Sequence, residues 1–206
     1  MFKMILKSIV GCCIFLLLSV TGCNKTASMA PLPDDAVVMA FGDSLTYGTG
    51  VNNKQSYPMV LSRLISRKVI NVGIPGELSE AGLHRLPGLL DEYHPDLLIL
   101  THGGNDILRK KPLTALKANL LKMINLSRQR GIEVVMLGVP KPGIFMSSAD
   151  LYPEVAEQTQ TAIDTDVLAD ILSQSDLKSD AVHPNAAGYQ IMAEAIADLL
   201  RDRGAI

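Results

Sequence analysis

Three short stretches of the chain carry side chains that can act together on a carbonyl carbon. The first is Phe41-Gly42-Asp43-Ser44-Leu45-Thr46-Tyr47-Gly48. Glycines on both sides permit a tight backbone, so the Ser44 hydroxyl can stand exposed as a nucleophile. The same spelling also suits a plain turn, or a helix N-cap supplied by Asp43 or Ser44. The second stretch is Thr101-His102-Gly103-Gly104-Asn105-Asp106. Its glycines let another backbone approach, and the Asn105 amide, held rigid, can donate to the oxygen of a tetrahedral intermediate. An Asn-Asp turn explains it equally well. The third is Ser179-Asp180-Ala181-Val182-His183-Pro184-Asn185. A three-residue offset can bring the Asp180 carboxylate against the His183 ring, fixing its tautomer. The ring can then serve as general base. Pro184 or Asn185 opening a helix accounts for many of the same letters. A fourth stretch, Asn71-Val72-Gly73-Ile74-Pro75-Gly76-Glu77, adds a weaker candidate, the Gly76 N–H, for the same oxyanion.

These stretches need elements to hold them. Apolar runs at Val37–Phe41, Val69–Val72, Leu97–Leu100 and Val134–Leu137 read as strands. They are continuous rather than alternating, as expected of strands covered on both faces. Helical spacing links Tyr57, Val60, Leu61, Leu64 and Ile65. Residues 79–91 give a weaker helix interrupted at Pro87-Gly88. Leu113, Leu116, Leu120, Met123 and Ile124 mark a longer helix ending near Gly131, and Tyr189, Met192, Ile196 and Leu199 mark the last one. Strands alternating with helices predict a parallel sheet between two helix layers, a three-layer α/β/α domain. In such sheets the ligand site lies beyond the carboxyl ends of the strands. Ser44, Gly76 and Asn105 each follow a predicted strand, and Asp180 and His183 precede the last helix.

Ordered this way, the motifs resemble those of the SGNH, or GDSL, hydrolase superfamily. Gly42-Asp43-Ser44-Leu45 is similar to its first block, Gly76 to its second, Gly103-Gly104-Asn105-Asp106 to its third and Asp180-Ala181-Val182-His183 to its last. The run Gly82–Leu90 adds a likeness to the small bacterial thioesterase, arylesterase and lysophospholipase group. The resemblance implies a flavodoxin-like α/β/α sandwich with Ser44 as nucleophile, His183 as general base and acid, and Asp180 orienting His183. It implies an oxyanion hole from the Ser44 N–H, the Gly76 N–H and the Asn105 amide, with no metal and no cofactor. The substrates it implies are carboxylic esters or thioesters, lysophospholipids among them. Two alternatives stay open: an O-acetylesterase of the same fold acting on sugars, and a non-catalytic lipid-binding surface lipoprotein.

Residues 1–22 read as a leader and not as part of the fold. Lys3 and Lys7 precede an apolar stretch over 9–20, shorter than the roughly 20 residues a spanning helix needs and shaped like a secretory signal. Val20-Thr21-Gly22-Cys23 resembles a bacterial lipobox, which implies acylation of Cys23 and attachment to the membrane of a cell envelope. Asn24, rather than Asp, at the following place favours the outer membrane, facing the periplasm, in a Gram-negative organism. All three cysteines lie at or before residue 23, so the domain should need no disulfide. Residues 23–35, with Pro31 and Pro33, read as a tether, and 36–206 as one hydrolase domain.

The composition fits this reading. Hydrophobic residues make up 48% of the chain, enough for a core of ordinary size. The formal charge of −2 becomes −4 once Lys3 and Lys7 leave. With no basic stripe, nucleic acid is excluded as a partner, and membrane attachment falls to the acyl chains. The absence of Trp argues against a carbohydrate groove. A monomer is expected. His102 reads as a polar strand-end residue, His84 and His94 as surface residues, and Asp43 and Asp106 as braces for their turns. Residues 140–160, including Phe145, Met146, Leu151 and Tyr152, read as a loop beside the acyl pocket or as plain surface.

Overall fold

A computed structural model describes residues 28–141 and 147–206. The leader over 1–22, Cys23, and Phe145 and Met146 of the expected pocket loop lie outside the described residues.

The chain alternates strand and helix. In order come β1 (Val37–Gly42), α1 (Ser44–Tyr47), α2 (Tyr57–Ile65), β2 (Lys68–Asn71), α3 (Ser79–Tyr93), β3 (Leu97–Thr101), α4 (Gly104–Leu108) and α5 (Leu113–Arg128). Then follow β4 (Glu133–Leu137), the short pair β5 (Pro140–Lys141) and β6 (Ser147–Ser148), α6 (Leu151–Thr159), β7 (Ala162–Asp164), α7 (Val167–Ser173) and α8 (Ala186–Asp202). Five strands form one sheet in the order β2-β1-β3-β4-β7, and every pairing in it is parallel. Helices α2 and α8 pack on one another, as do α3 and α5. Right-handed crossovers put these two pairs on opposite faces, giving the expected three-layer α/β/α sandwich.

The apolar runs explain the centre. Every residue of β3 is buried, and β1 is buried from Val38 onward. Strand order reverses between β1 and β3, the place where such sheets open a crevice at their carboxyl ends. Gly42 lets the two strand ends meet there, for a Cβ on it would lie 1.9 Å from the Thr101 carbonyl oxygen.

Four details differ from the sequence expectation. Helix α3 runs unbroken through Pro87. Proline removes one hydrogen bond, but Leu86 and Leu90, both buried, keep the helix against the sheet. Leu64 and Leu113 share the apolar spacing of their helices, yet both are exposed. Residues 151–159 form α6, with Leu151 and Tyr152 buried in the core instead of in a surface loop. The packed body also begins before Ala36. Met29 and Leu32 are buried, and their N–H groups donate to Arg203 and Ala205 carbonyls at 2.8 Å each. Arg67 closes the segment by donating to the carbonyls of Leu32 and Pro33.

Candidate active site

Ser44 is the first residue of α1, directly after β1. The Asp43 carboxylate caps this one-turn helix by accepting from the Leu45 N–H at 3.1 Å. The capping reading of Asp43 therefore holds, and it leaves Ser44 directly after the cap at the start of the helix. As the first amide of a helix, the Ser44 N–H has no intrahelical acceptor.

The loop before α8 delivers the ring. Lys178 and Pro184 form an isolated antiparallel bridge, and Asn185 caps α8 by accepting from the Gly188 N–H. Between them Asp180 turns back on itself, its Oδ1 accepting from the N–H groups of Val182 at 2.8 Å and His183 at 2.9 Å. Its Oδ2 lies 2.8 Å from His183 Nδ1, and His183 Nε2 lies 2.9 Å from Ser44 Oγ. The carboxylate, ring and hydroxyl thus form one hydrogen-bonded chain. Partial burial pushes the Asp180 carboxyl up, but the Val182 N–H and the His183 ring outweigh it and hold the group below its ordinary value.

The two oxyanion candidates reach the same place. Gly76, with φ of 78°, and Asn105 line a cavity of about 290 Å³ together with Ser44 and His183. Leu108, Val139, Pro140, Leu172, Ala181 and Val182 make most of the remaining wall apolar, with Asp43, Thr49 and Lys141 as its other polar members. Asn105 Nδ2 donates to Asp43 Oδ2 at 3.2 Å. An amide carries two N–H donors, so one orients the side chain and the other remains for a ligand.

The braces expected at Asp43 and Asp106 are both present. Burial pushes the Asp43 carboxyl up, against the pull of His102, the Leu45 N–H, the Asn105 amide and His183. Asp106 accepts from the Ser79 N–H and from Ser79 Oγ, each at 2.8 Å, tying the Asn105 turn to the start of α3. Arg109 donates to the Gly76 carbonyl. His84 and His94 are exposed, as expected. His102 directly follows β3, the strand-end position expected, and is fully buried against Glu77, whose carboxylate Arg85 also grips. Neither Glu77 nor Arg85 stands out in the sequence, because their pairing depends on how α3 lies across the sheet. Among the described residues no three His, Cys, Asp or Glu side chains converge as a metal site.

Comparison with known proteins agrees with this geometry. Residues 40–191 match the GDSL-like lipase/acylhydrolase family. The chain is 33% identical to an arylesterase of Vibrio mimicus over 86% of its own length and 92% of that protein. It is 24% identical to the Escherichia coli protein named thioesterase 1/protease 1/lysophospholipase L1, over 80% of this chain and 83% of that one. The crystal structure of TesA superposes with a TM-score of 0.75 at 28% identity, covering 81% of this chain and 99% of that one. A hydroxyl, imidazole and carboxylate in line, at the carboxyl end of a parallel sheet, recur here on a chain that matches the family over most of its length: the protein belongs to the GDSL-like lipase/acylhydrolase family and is an ester-bond hydrolase.

Proposed function

We propose that the protein hydrolyses acyl esters and thioesters of the arylesterase and lysophospholipase type through an acyl-Ser44 intermediate. The observation that carries this reading is the continuous chain from Asp180 through His183 to Ser44 Oγ at the mouth of an apolar cavity. Ser44 Oγ attacks the acyl carbon while its proton passes to His183 Nε2. The negative oxygen of the tetrahedral intermediate takes hydrogen bonds from the Ser44 N–H, the Gly76 N–H and the Asn105 amide. Collapse expels the alcohol or thiol, which leaves with the proton held on His183. Water then gives a proton to His183 and attacks the acyl-enzyme, releasing the acid and restoring Ser44. Asp180 keeps the Nδ1 proton in place and stabilises the charged ring.

The apolar wall favours an acyl chain over a sugar acetate, whose hydroxyls would find few partners among Leu108, Val139, Leu172 and Val182. The relatives named arylesterase and lysophospholipase support the same substrate class. Export and attachment to the cell envelope through an acylated Cys23 belong to this proposal. They are supported by the signal-like spelling of residues 1–22 and by Val20-Thr21-Gly22-Cys23. A lipid-anchored hydrolase meets lysophospholipids at the membrane surface.

The test is hydrolysis of p-nitrophenyl esters and acyl thioesters of graded length by the detergent-solubilised chain, beside Ser44→Ala and His183→Ala. Activity on acyl chains that both substitutions abolish is expected. A folded wild type inactive on every chain length but active on acetylated sugars would replace this reading with the sugar esterase.

A further inference from the structure

Beneath the cavity lies a buried ionic cluster that the acyl-transfer steps do not use. Arg85 of α3 grips Glu77 with a two-pronged pair, Nε to Oε1 and Nη2 to Oε2, each at 2.7 Å. His102 Nε2 lies 3.1 Å from Glu77 Oε2. A carboxylate accepts and cannot donate, so the ring carries its proton on Nε2. The same Arg85 Nη2 reaches the Gly42 carbonyl at 3.4 Å, and its guanidinium sits 4.3 Å over the Phe41 ring. The His102 ring lies tilted beside the same aromatic, 5.7 Å between centroids. Glu77 and His102 are buried, and Arg85 is largely covered. Burial pushes the Glu77 carboxyl up, but His102 and Arg85 overcome this and hold it below its ordinary value.

A buried ion pair is poor evidence for stability, since an apolar replacement of similar volume is often neutral or better. Its reach along the chain is more informative. Gly42 stands two residues before Ser44, Glu77 follows Gly76 directly, and His102 stands three residues before Asn105. Each segment that carries an oxyanion donor is therefore tied to the cluster within one to three residues. Two of these segments need an external tie, because they contain glycines at positive φ, Gly76 at 78° and Gly103 at 112°, where the backbone has little intrinsic preference. Three donors from three different loops must also converge on one atom with sub-ångström accuracy.

We propose that Glu77, Arg85 and His102 are positioning residues that set the spacing of the three oxyanion donors by fastening the ends of β1 and β3 and the Gly76 loop to α3. The proposal rests on the acyl-Ser44 reading above. It predicts damage to the transition state with little damage to substrate binding, because none of the three lines the cavity.

The experiment uses the full chain carrying Glu77→Gln, Arg85→Lys or His102→Gln, with Ser44→Ala alongside. It measures kcat and KM on one p-nitrophenyl ester, inhibition by an alkyl boronic acid that becomes tetrahedral on the serine, and urea unfolding. Mispositioned donors should lower kcat by roughly 10- to 100-fold with KM changed less than about twofold. Boronate affinity should fall in proportion to kcat/KM across the series. Arg85→Lys keeps the charge but lacks the planar fork, so it should not rescue. Variants that fold and keep kcat, or lose boronate affinity out of proportion to kcat/KM, overturn the proposal. So does failure of all three to fold, which would make the cluster a determinant of the fold instead. Full activity in Ser44→Ala would sink the acyl-Ser44 reading itself, an outcome distinct from these.

Discussion

Replacing Asp180 by Asn should harm the enzyme more than deleting its side chain, and the reason is in the hydrogen bonds around it. Oδ1 accepts from two backbone N–H groups, those of Val182 and His183, while Oδ2 faces His183 Nδ1 at 2.8 Å. In Asp180→Asn the amide oxygen must take the Oδ1 position, because the NH2 group cannot face two donors. The NH2 then points at Nδ1 and makes it an acceptor. That moves the ring proton to Nε2, the atom that must receive the Ser44 proton. In Asp180→Ala water can reach Nδ1, since the native Asp180 side chain is 51% exposed, and both tautomers stay accessible. What Ala removes is the attraction between carboxylate and charged ring. For charges about 4 Å apart that is about 1 kcal/mol in water and about 4 kcal/mol near a protein surface. The half-exposed carboxylate falls between, at about 2 kcal/mol, or about 30-fold in kcat/KM. Asn adds the tautomer cost, which for a fully buried orienting Asp reaches about 10⁴. Here about 10³ is expected, at least tenfold below Ala. Initial rates on a p-nitrophenyl ester with both variants decide it. Equal or higher activity in Asp180→Asn would refute the tautomer argument.

Three further predictions concern Asp43, the positive-φ glycines and Tyr152. Asp43 has its carboxyl pushed up by burial, so between its ordinary and its raised value the folded state keeps a proton that the unfolded chain has released. Stability then falls as pH rises through that window, and Asp43→Asn should gain thermal stability relative to wild type over the same range. Melting curves that stay parallel across acid pH would contradict this. Gly103→Ala would place a Cβ 2.6 Å from the Tyr152 hydroxyl at φ of 112° and should cost about 2–4 kcal/mol from left-handed strain and overpacking. Gly131→Ala, also at positive φ but with nothing within 4 Å, should cost only about 1–2 kcal/mol; urea unfolding compares them, and equal losses would mean that the crowding is unimportant. Tyr152→Phe strips the 2.8 Å donor from the His102 carbonyl and should cost about 1–3 kcal/mol for a buried acceptor left without it. An unchanged urea midpoint would show that the carbonyl finds another partner.

Much of this was legible in the chain because the relevant signals are local. Strands β1, β3 and β4 are unbroken apolar runs, and the residues placed at the cavity follow strand ends or precede a capped helix. Asp180 and His183 meet through a turn of three residues, which spacing alone suggests. The features that were not legible depend on tertiary packing. Strand β7 is only Ala162–Asp164, too short for a pattern, and it exists because it lies in register beside β4. Helix α3 passes through Pro87 because the sheet holds Leu86 and Leu90. Leu151 and Tyr152 read as loop because α6 is only 9 residues long and follows a stretch broken by Pro140 and Pro142-Gly143. The contact of Met29 and Leu32 with the end of α8 joins opposite ends of the chain. His102, Glu77 and Arg85 come from three different elements, and no spacing in sequence announces such a meeting.

The measurement that bears most directly on the central claim is the site of covalent capture. The full chain is treated with an alkyl fluorophosphonate, digested and mapped by mass spectrometry, beside His183→Ala. One adduct on Ser44 is expected, forming at least about 10³-fold more slowly without the ring. An adduct elsewhere, no adduct on the folded protein, or an equal rate in His183→Ala would contradict the account.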